Sequence, residues 1–340
     1  MILTVTLNPA IDKTYTLPGF KQGSVWRAQE VRALPGGKGL NVTRVLRTMG
    51  VRVRATGFLA GHNGRWVQSA LEEMEIASDF VWVDGETRLC LTIVDPDNRM
   101  ITELRESGPT LNEHYLEKFR AHLASLLDQS KVVVFSGSLP PGLPLETYRV
   151  LVDDVRRAGK RTVLDTSGEA FATALCAHPD IVKPNRAELE AWWGRPCSSV
   201  ADALGAAQEL QRKTGGWAVV SLGEDGAVLC SSRGVWHAPA LTVKAVNTVG
   251  CGDAMVAGLA MALVEDRDEE AALCLATALA ASNAEHPEGG IVDPADVEEW
   301  AKKVRVAFVG GRSAGEREMD HGTTGDGDRY WRNQCRVSSS

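Results

Sequence analysis

The chain has 340 residues, 44% of them hydrophobic and 24% charged, with a formal net charge of −7. This is the composition of a globular protein with a large core, and the acidic balance argues against a general nucleic-acid or anionic-membrane binder. No run of about 18 apolar residues occurs, so no membrane span is expected, and the start Met-Ile-Leu-Thr-Val-Thr-Leu reads as a strand rather than a signal peptide.

Taken in chain order, strand-like and helix-like runs alternate. A strand over residues 3–7 is followed by residues 11–34, rich in Thr, Val and short turns, which read as antiparallel strands. A helix is expected over 41–49, then a strand over 54–59 and a helix over 64–75. Residues 88–104, with the turn Pro-Asp-Asn at 96–98, again read as antiparallel strands. There follow a helix over 112–128, a strand over 132–136, a helix over 145–158, strands over 162–165 and 181–182, helices over 185–193 and 200–213, a strand over 218–222, and a helix over 254–264. Gly50, Gly159 and Gly215 stand where helix C-caps belong. Such alternation implies an α/β fold with a mostly parallel sheet covered by helices on both faces, and ligands at the carboxyl ends of its strands. Residues 11–34 and 88–104 either pair into a small lid over those strand ends or extend the edge of the main sheet. One domain is expected over residues 1–309. Residues 310–340, rich in Gly, Ser, Asp and Arg, have no apolar period and read as a disordered tail. The seven cysteines are scattered without a Cys-x-x-Cys pair, which fits reduced thiols in a cytoplasmic protein, and the seven histidines have no metal-ligand spacing.

Two glycine-rich helix entries carry the chemistry. Residues 247–253 read Asn-Thr-Val-Gly-Cys-Gly-Asp and run into the apolar helix. The N–H groups of Gly250, Cys251 and Gly252 lie at the positive end of a helix dipole, a ready anion site. Asp253 would repel a phosphate there. It makes sense as a base that takes a proton from a hydroxyl while the turn holds a phosphoryl group in flight. The same pattern also fits an ordinary strand-to-helix turn with Asp as a dipole partner. Position 255 is Met, so the dinucleotide fingerprint lacks its third glycine, and no Walker A loop occurs. Residues 36–41 read Gly-Gly-Lys-Gly-Leu-Asn. Gly37 would allow close approach of backbone to ligand, Lys38 could hold a phosphate, and Asn41 could bond sugar hydroxyls. An exposed turn with a surface lysine is the other reading.

Together and in this order, the two motifs resemble those of the ribokinase-like, phosphofructokinase B family of sugar kinases. Cys251 stands where that family usually has alanine. The resemblance spans roughly residues 1–305 and includes Thr-Leu-Asn-Pro-Ala-Ile-Asp at 6–12, Thr87-Arg88, Ser-Gly-Ser-Leu-Pro-Pro-Gly at 136–142, Lys-Pro-Asn-Arg-Ala-Glu at 183–188 and Ser-Leu-Gly-Glu-Asp-Gly at 221–226. Leu-Asn-Pro-Ala-Ile-Asp at 7–12 and Leu-Asp-Thr-Ser-Gly at 164–168 are similar to the 1-phosphofructokinase and tagatose-6-phosphate kinase branch. The resemblance implies Asp253 as the base and Gly250, Cys251 and Gly252 as the anion hole. It implies Asp12, Gly37, Asn41 and Ser138 at the sugar, with Lys38 and Arg88 on the phosphate already carried by the substrate. Arg27 and Arg105 are weaker candidates for that phosphate. Lys183, Asn185, Ser221, Gly223, Gly226 and Asn283 would serve the nucleotide. Glu188, in the Asn-x-x-Glu element, would serve magnesium, mostly through water.

The implied reaction is ATP-dependent phosphorylation of a ketohexose monophosphate, with fructose 1-phosphate going to fructose 1,6-bisphosphate as the leading case and tagatose 6-phosphate as the alternative acceptor. A non-catalytic sugar-phosphate or nucleotide sensor is the rival from another class, though a sensor needs no base. A nicotinamide oxidoreductase is disfavoured by the missing glycine. The expected partners are sugar phosphate and ATP, without nucleic acid or membrane, and the lid edges invite a homodimer.

Overall fold

The computed structural model describes residues 1–310. The expected tail lies outside the described residues except for Gly310, which ends a strand, Ala307–Gly310. From one edge, the main sheet runs Ala307–Gly310, Gly234–Ala238, Ala227–Ser231, Trp217–Ser221, Ile181–Val182, Arg161–Asp165, Val132–Ser136, Ile2–Thr6, Val53–Ala60 and Ala77–Ser78, with Val81–Val83 also paired to Val53–Ala60. Pairings from Trp217–Ser221 to Ala77–Ser78 are parallel, and those at the other edge are antiparallel.

The central strands are buried along their whole length, Ile2–Thr6 and Val132–Ser136 among them. Alternate side chains feed two cores. Leu3, Val5, Val133 and Phe135 pack with the helices Glu113–Leu126, Thr147–Arg157 and Val200–Thr214 on one face. Ile2, Val132 and Val134 pack with Lys38–Thr48, Cys251–Val264 and Glu269–Ala284 on the other. Covering both faces is what a parallel sheet requires, and the expected α/β architecture is the one observed. No helix among the described residues is long and apolar enough to cross a membrane.

The two lid segments form a separate four-stranded sheet, ordered Glu30–Gly36, Ala10–Thr16, Arg88–Asp95, Met100–Arg105. This resolves the choice between a lid and an edge extension. Each segment is an antiparallel hairpin, but the hairpins join through a parallel pairing that sets Asp12 opposite Cys90. The inner end is anchored where Ile11, Ala33 and Leu89 pack with Val67 and Leu71 of the helix Gly61–Glu73. The two edge strands leave Val31, Met100, Ile101 and Leu104 exposed.

Candidate active site

The Cys251–Val264 helix begins at Gly250, whose φ of 85° is left-handed. A Cβ added there would lie 2.6 Å from Gly289 Cα. Both facts demand glycine. Ala254 is the first residue whose N–H closes a full helical bond, to Gly250 O at 2.8 Å, whereas the Cys251 N–H makes a long 3.4 Å bond to Thr248 O. The Gly252 and Asp253 N–H groups take no backbone acceptor outside the helix among the described residues. Free N–H groups at a helix start are an anion-binding device.

Asp253 is buried in that first turn. Its Oδ2 accepts the Asn41 amide N–H at 2.7 Å. Burial first, and the neighbouring Asp165 carboxylate second, push its pKa up to about 7, against the pull of Lys38, Asn41 and Lys183. A carboxylate titrating near neutrality is suited to accept a proton from an alcohol.

Asp165 ends its strand at the carboxyl edge of the sheet and is fully buried. Its Oδ1 lies 3.3 Å from Lys38 Nζ and 3.5 Å from Lys183 Nζ, and its Oδ2 accepts the Ser136 hydroxyl at 3.2 Å. Burial alone would raise its pKa. The two ammonium groups outweigh burial and hold it below the usual carboxylate range. Lys38 also donates to Glu188 Oε1 at 3.2 Å. Burial opposes its charge, but Asp165, Glu188 and Asp253 together hold it protonated far above the ordinary lysine value. The side chain of Lys183 lies beneath the anion turn, 3.4 Å from where a Cβ on Gly252 would stand.

On the lid side, Asp12 lies against Gly36, where an added Cβ would fall 2.1 Å from Asp12 Cγ. Burial raises the Asp12 pKa, countered by Arg44, the Gly37 N–H, Arg88 and Arg105. Arg88 donates to Asn8 O at 3.0 and 3.2 Å and to Glu106 O at 3.2 Å. These bonds use three of its five N–H donors and leave two for a ligand. Asn8 Nδ2 in turn donates to Ser107 O at 3.0 Å and lies 3.4 Å from the Ser138 hydroxyl. By register, Asp12, Cys90 and Arg105 form one row on one face of the lid. Gly36→Ala is therefore expected to displace Asp12 and raise KM for the sugar substrate severalfold or more, with KM for ATP close to wild type. Steady-state kinetics in both substrates check this, and an unchanged sugar KM would remove Asp12 from the sugar site.

A model of the pfkB family carbohydrate kinases matches residues 5–296. The chain belongs to the PfkB family of carbohydrate kinases. Membership makes it an ATP-dependent sugar kinase. Phosphofructokinase-2 from Escherichia coli, in complex with potassium, is 28% identical with a TM-score of 0.84, the match covering 89% of this chain and 98% of that one. A protein of Thermotoga maritima described as a possible 1-phosphofructokinase is 27% identical with a TM-score of 0.84, over 91% of this chain and 100% of that one. Ribokinase of Arabidopsis thaliana shares the fold, with 20% identity and a TM-score of 0.71 over 88% of this chain and 98% of that one.

In this PfkB kinase, the fold shows what surrounds three residues that the sequence singled out. Asn283 is completely buried, and its amide is spent on protein: it donates to Val249 O at 2.9 Å and accepts from Gly290 N at 2.7 Å. It ties the anion turn to the 289–290 loop. The Cys251 thiol stands at a helix start, where the dipole favours a thiolate, but burial pushes its pKa up. Lys38 was paired with Arg88 for one phosphate. Its ammonium group is held by Asp165 and Glu188, and the Arg88 guanidinium by the carbonyls of Asn8 and Glu106.

On the expected nucleotide side, Asn185 and Glu188 form a reciprocal capping box at the start of Arg186–Trp193. Asn185 bridges Ser221, and Gly223 and Gly226 shape the turn that follows. Three residues of the site were assigned no role from sequence: Asp165, Asn8 and Arg44. A carboxylate at the end of a predicted parallel strand was the available signal for Asp165, and an arginine three residues after Asn41 on an apolar helix was the signal for Arg44.

Proposed function

We propose that this sugar kinase transfers the γ-phosphoryl group of ATP to a hydroxyl of a ketohexose monophosphate, with fructose 1-phosphate as acceptor and fructose 1,6-bisphosphate as product. The observation that carries the reading is Asp253, a carboxylate held near neutral pKa by burial inside a turn of free N–H groups. Phosphoryl transfer needs mainly positioning and charge stabilisation, with a base for the acceptor. Ionised Asp253 takes the hydroxyl proton as the oxygen attacks, and the Gly252 and Asp253 N–H groups with Lys38 stabilise the phosphoryl oxygens.

A phosphorylated acceptor is favoured by Arg88, which acts on the sugar-side carboxylate Asp12 and, braced on two backbone carbonyls, has no carboxylate bonded to it; Arg105, which also acts on Asp12, is paired with Glu103. The kinship with phosphofructokinase-2 and with the Thermotoga protein supports the same choice. Glu188 and Asp165 have their oxygens engaged by N–H, hydroxyl and ammonium donors, which suits contact with magnesium through water rather than direct ligation. Magnesium would neutralise charge on the nucleotide phosphates.

ADP release measured against fructose 1-phosphate, fructose 6-phosphate, tagatose 6-phosphate, fructose and ribose tests the proposal. The highest kcat/KM is expected with fructose 1-phosphate. A preference for unphosphorylated fructose or ribose would overturn it.

We further propose that a second copy of this chain covers the lid face opposite Asp12, at its edge strands. Val31 and Leu104, on the two edge strands, are more than half exposed on that face, and exposed apolar sheet surface of this kind favours association. Sedimentation is expected to show a dimer that Leu104→Glu dissociates. A monomeric wild type would sink the idea.

A further inference from the structure

Arg44 is buried in the Lys38–Thr48 helix, one turn beyond Asn41, and no role in the reaction has been given to it so far. Its guanidinium grips three separate parts of the molecule. One Nη2 hydrogen goes to Asn41 Oδ1 at 2.9 Å and the other to Gly289 O at 2.5 Å. Nη1 donates to Pro35 O, at the end of the lid strand Glu30–Gly36. Gly289 lies directly against Gly250 of the anion turn. One side chain thus ties the lid hinge, the loop behind the anion turn and the amide that touches Asp253.

The chemistry of the Asn41 amide makes this more than a tether. Its two ends have nearly the same shape, and its neighbours decide which way it faces. Arginine has donors and no acceptor, so it accepts only the oxygen end. The NH₂ end is thereby forced onto Asp253 Oδ2, 2.7 Å away. An N–H donor favours the ionised carboxylate. Without Arg44 the amide is free to turn over and present its oxygen to Asp253, and that arrangement is comfortable only if Asp253 is protonated and donates in its place.

We propose that Arg44 is a positioning residue for the phosphoryl-transfer reaction: by fixing the orientation of Asn41, it keeps Asp253 in the ionised, proton-accepting state. The inference rests on the reading of Asp253 as the base. Arg44 touches no reacting atom. Lysine cannot replace it, because one ammonium group does not reproduce a planar fork that reaches three acceptors.

The test is a set of pH–rate profiles for wild type, Arg44→Lys, Asn41→Ala, the double variant and Asp253→Asn, with thermal melts and ATP binding as checks on folding. Arg44→Lys is expected to lower kcat by roughly ten- to a hundredfold, a part of what a positioned base supplies. It should leave ATP binding near wild type and move the ascending limb of kcat/KM to higher pH by about one unit. Because Arg44 acts through Asn41, the double variant should be no slower than Asn41→Ala alone.

A wild-type pH profile in Arg44→Lys, or multiplying effects in the double variant, would overturn the proposal. If Arg44→Lys fails to fold, Asn41→Ala carries the test: it must show the same upward shift of the limb, and a limb left in place overturns the proposal equally. Asp253→Asn separates the two levels. If that variant remains active, the reading of Asp253 as base fails. If it is inactive while the limb of Arg44→Lys does not move, only the role of Arg44 fails.

Discussion

Asp253→Asn is expected to lower kcat by about 10²–10⁴ and to leave ATP binding nearly unchanged. The asparagine keeps the shape and can still meet the Asn41 amide through its oxygen, but it cannot accept a proton. Because burial and Asp165 hold the Asp253 pKa at about 7, wild-type kcat/KM should climb with pH through that value and level off above it, and the variant should lack this limb. Stability should move the other way. The folded-state pKa is raised, so between about pH 4 and 7 the folded protein keeps a proton that the unfolded chain has released. Wild type therefore loses stability as pH rises through that window, and above it carries the full cost of a buried charge. The melting temperature of Asp253→Asn should match wild type near pH 4.5 and exceed it by a few degrees at pH 8. A variant retaining more than about a tenth of wild-type kcat would exclude Asp253 as the base, since a general base contributes more than that. A variant that is inactive and also less stable at pH 8 would show that Asp253 serves the fold.

The parts of this molecule that were legible in sequence share one physical property: their role is settled locally. Val132–Ser136 and Ile181–Val182 read as strands because helices bury them on both faces and leave mostly apolar runs. Asp253 and Asn41 read as site residues because a glycine turn and a helix start define their surroundings within a few positions. The Glu269–Ala284 helix escaped notice because it is buried on nearly every side, so its Ala and Leu residues leave no polar stripe for periodicity to find. Asp165 carried a local signal, its place at a strand end, but its chemistry comes from Lys38 and Lys183, which only the fold brings to it. Asn283 is the converse case. Only the family resemblance set it beside the nucleotide, and nothing local showed that both ends of its amide bond protein. Glu188 joins two elements, since one oxygen caps its own helix through the Asn185 N–H and the other holds Lys38.

The surroundings of Lys38 make a second large effect predictable. If Lys38 and Arg88 both held the phosphate already on the sugar, their alanine variants would behave alike, each raising KM for the sugar phosphate. The structure sets them in different company. Lys38 stands between Asp165 and Glu188, and its charge acts on Asp253. Arg88 is braced on Asn8 and Glu106 carbonyls beside Asp12. We expect Lys38→Ala to act on kcat, with a loss on the order of 10²–10³, as removal of a group that stabilises charge developing on the transferred phosphoryl should. Its loss also strips a cation from three carboxylates, so the Asp253 pKa should rise and the ascending limb of the pH profile should move up with it. Arg88→Ala should act mainly on KM for the sugar phosphate, by about ten- to a hundredfold, the value of one or two charge-assisted hydrogen bonds. Its limb should stay in place. Kinetics with saturating ATP and varied sugar phosphate, across pH, separate the two patterns. Parallel KM effects with no change in kcat would return Lys38 to the sugar phosphate and leave the phosphoryl group in flight to the N–H groups of the turn alone.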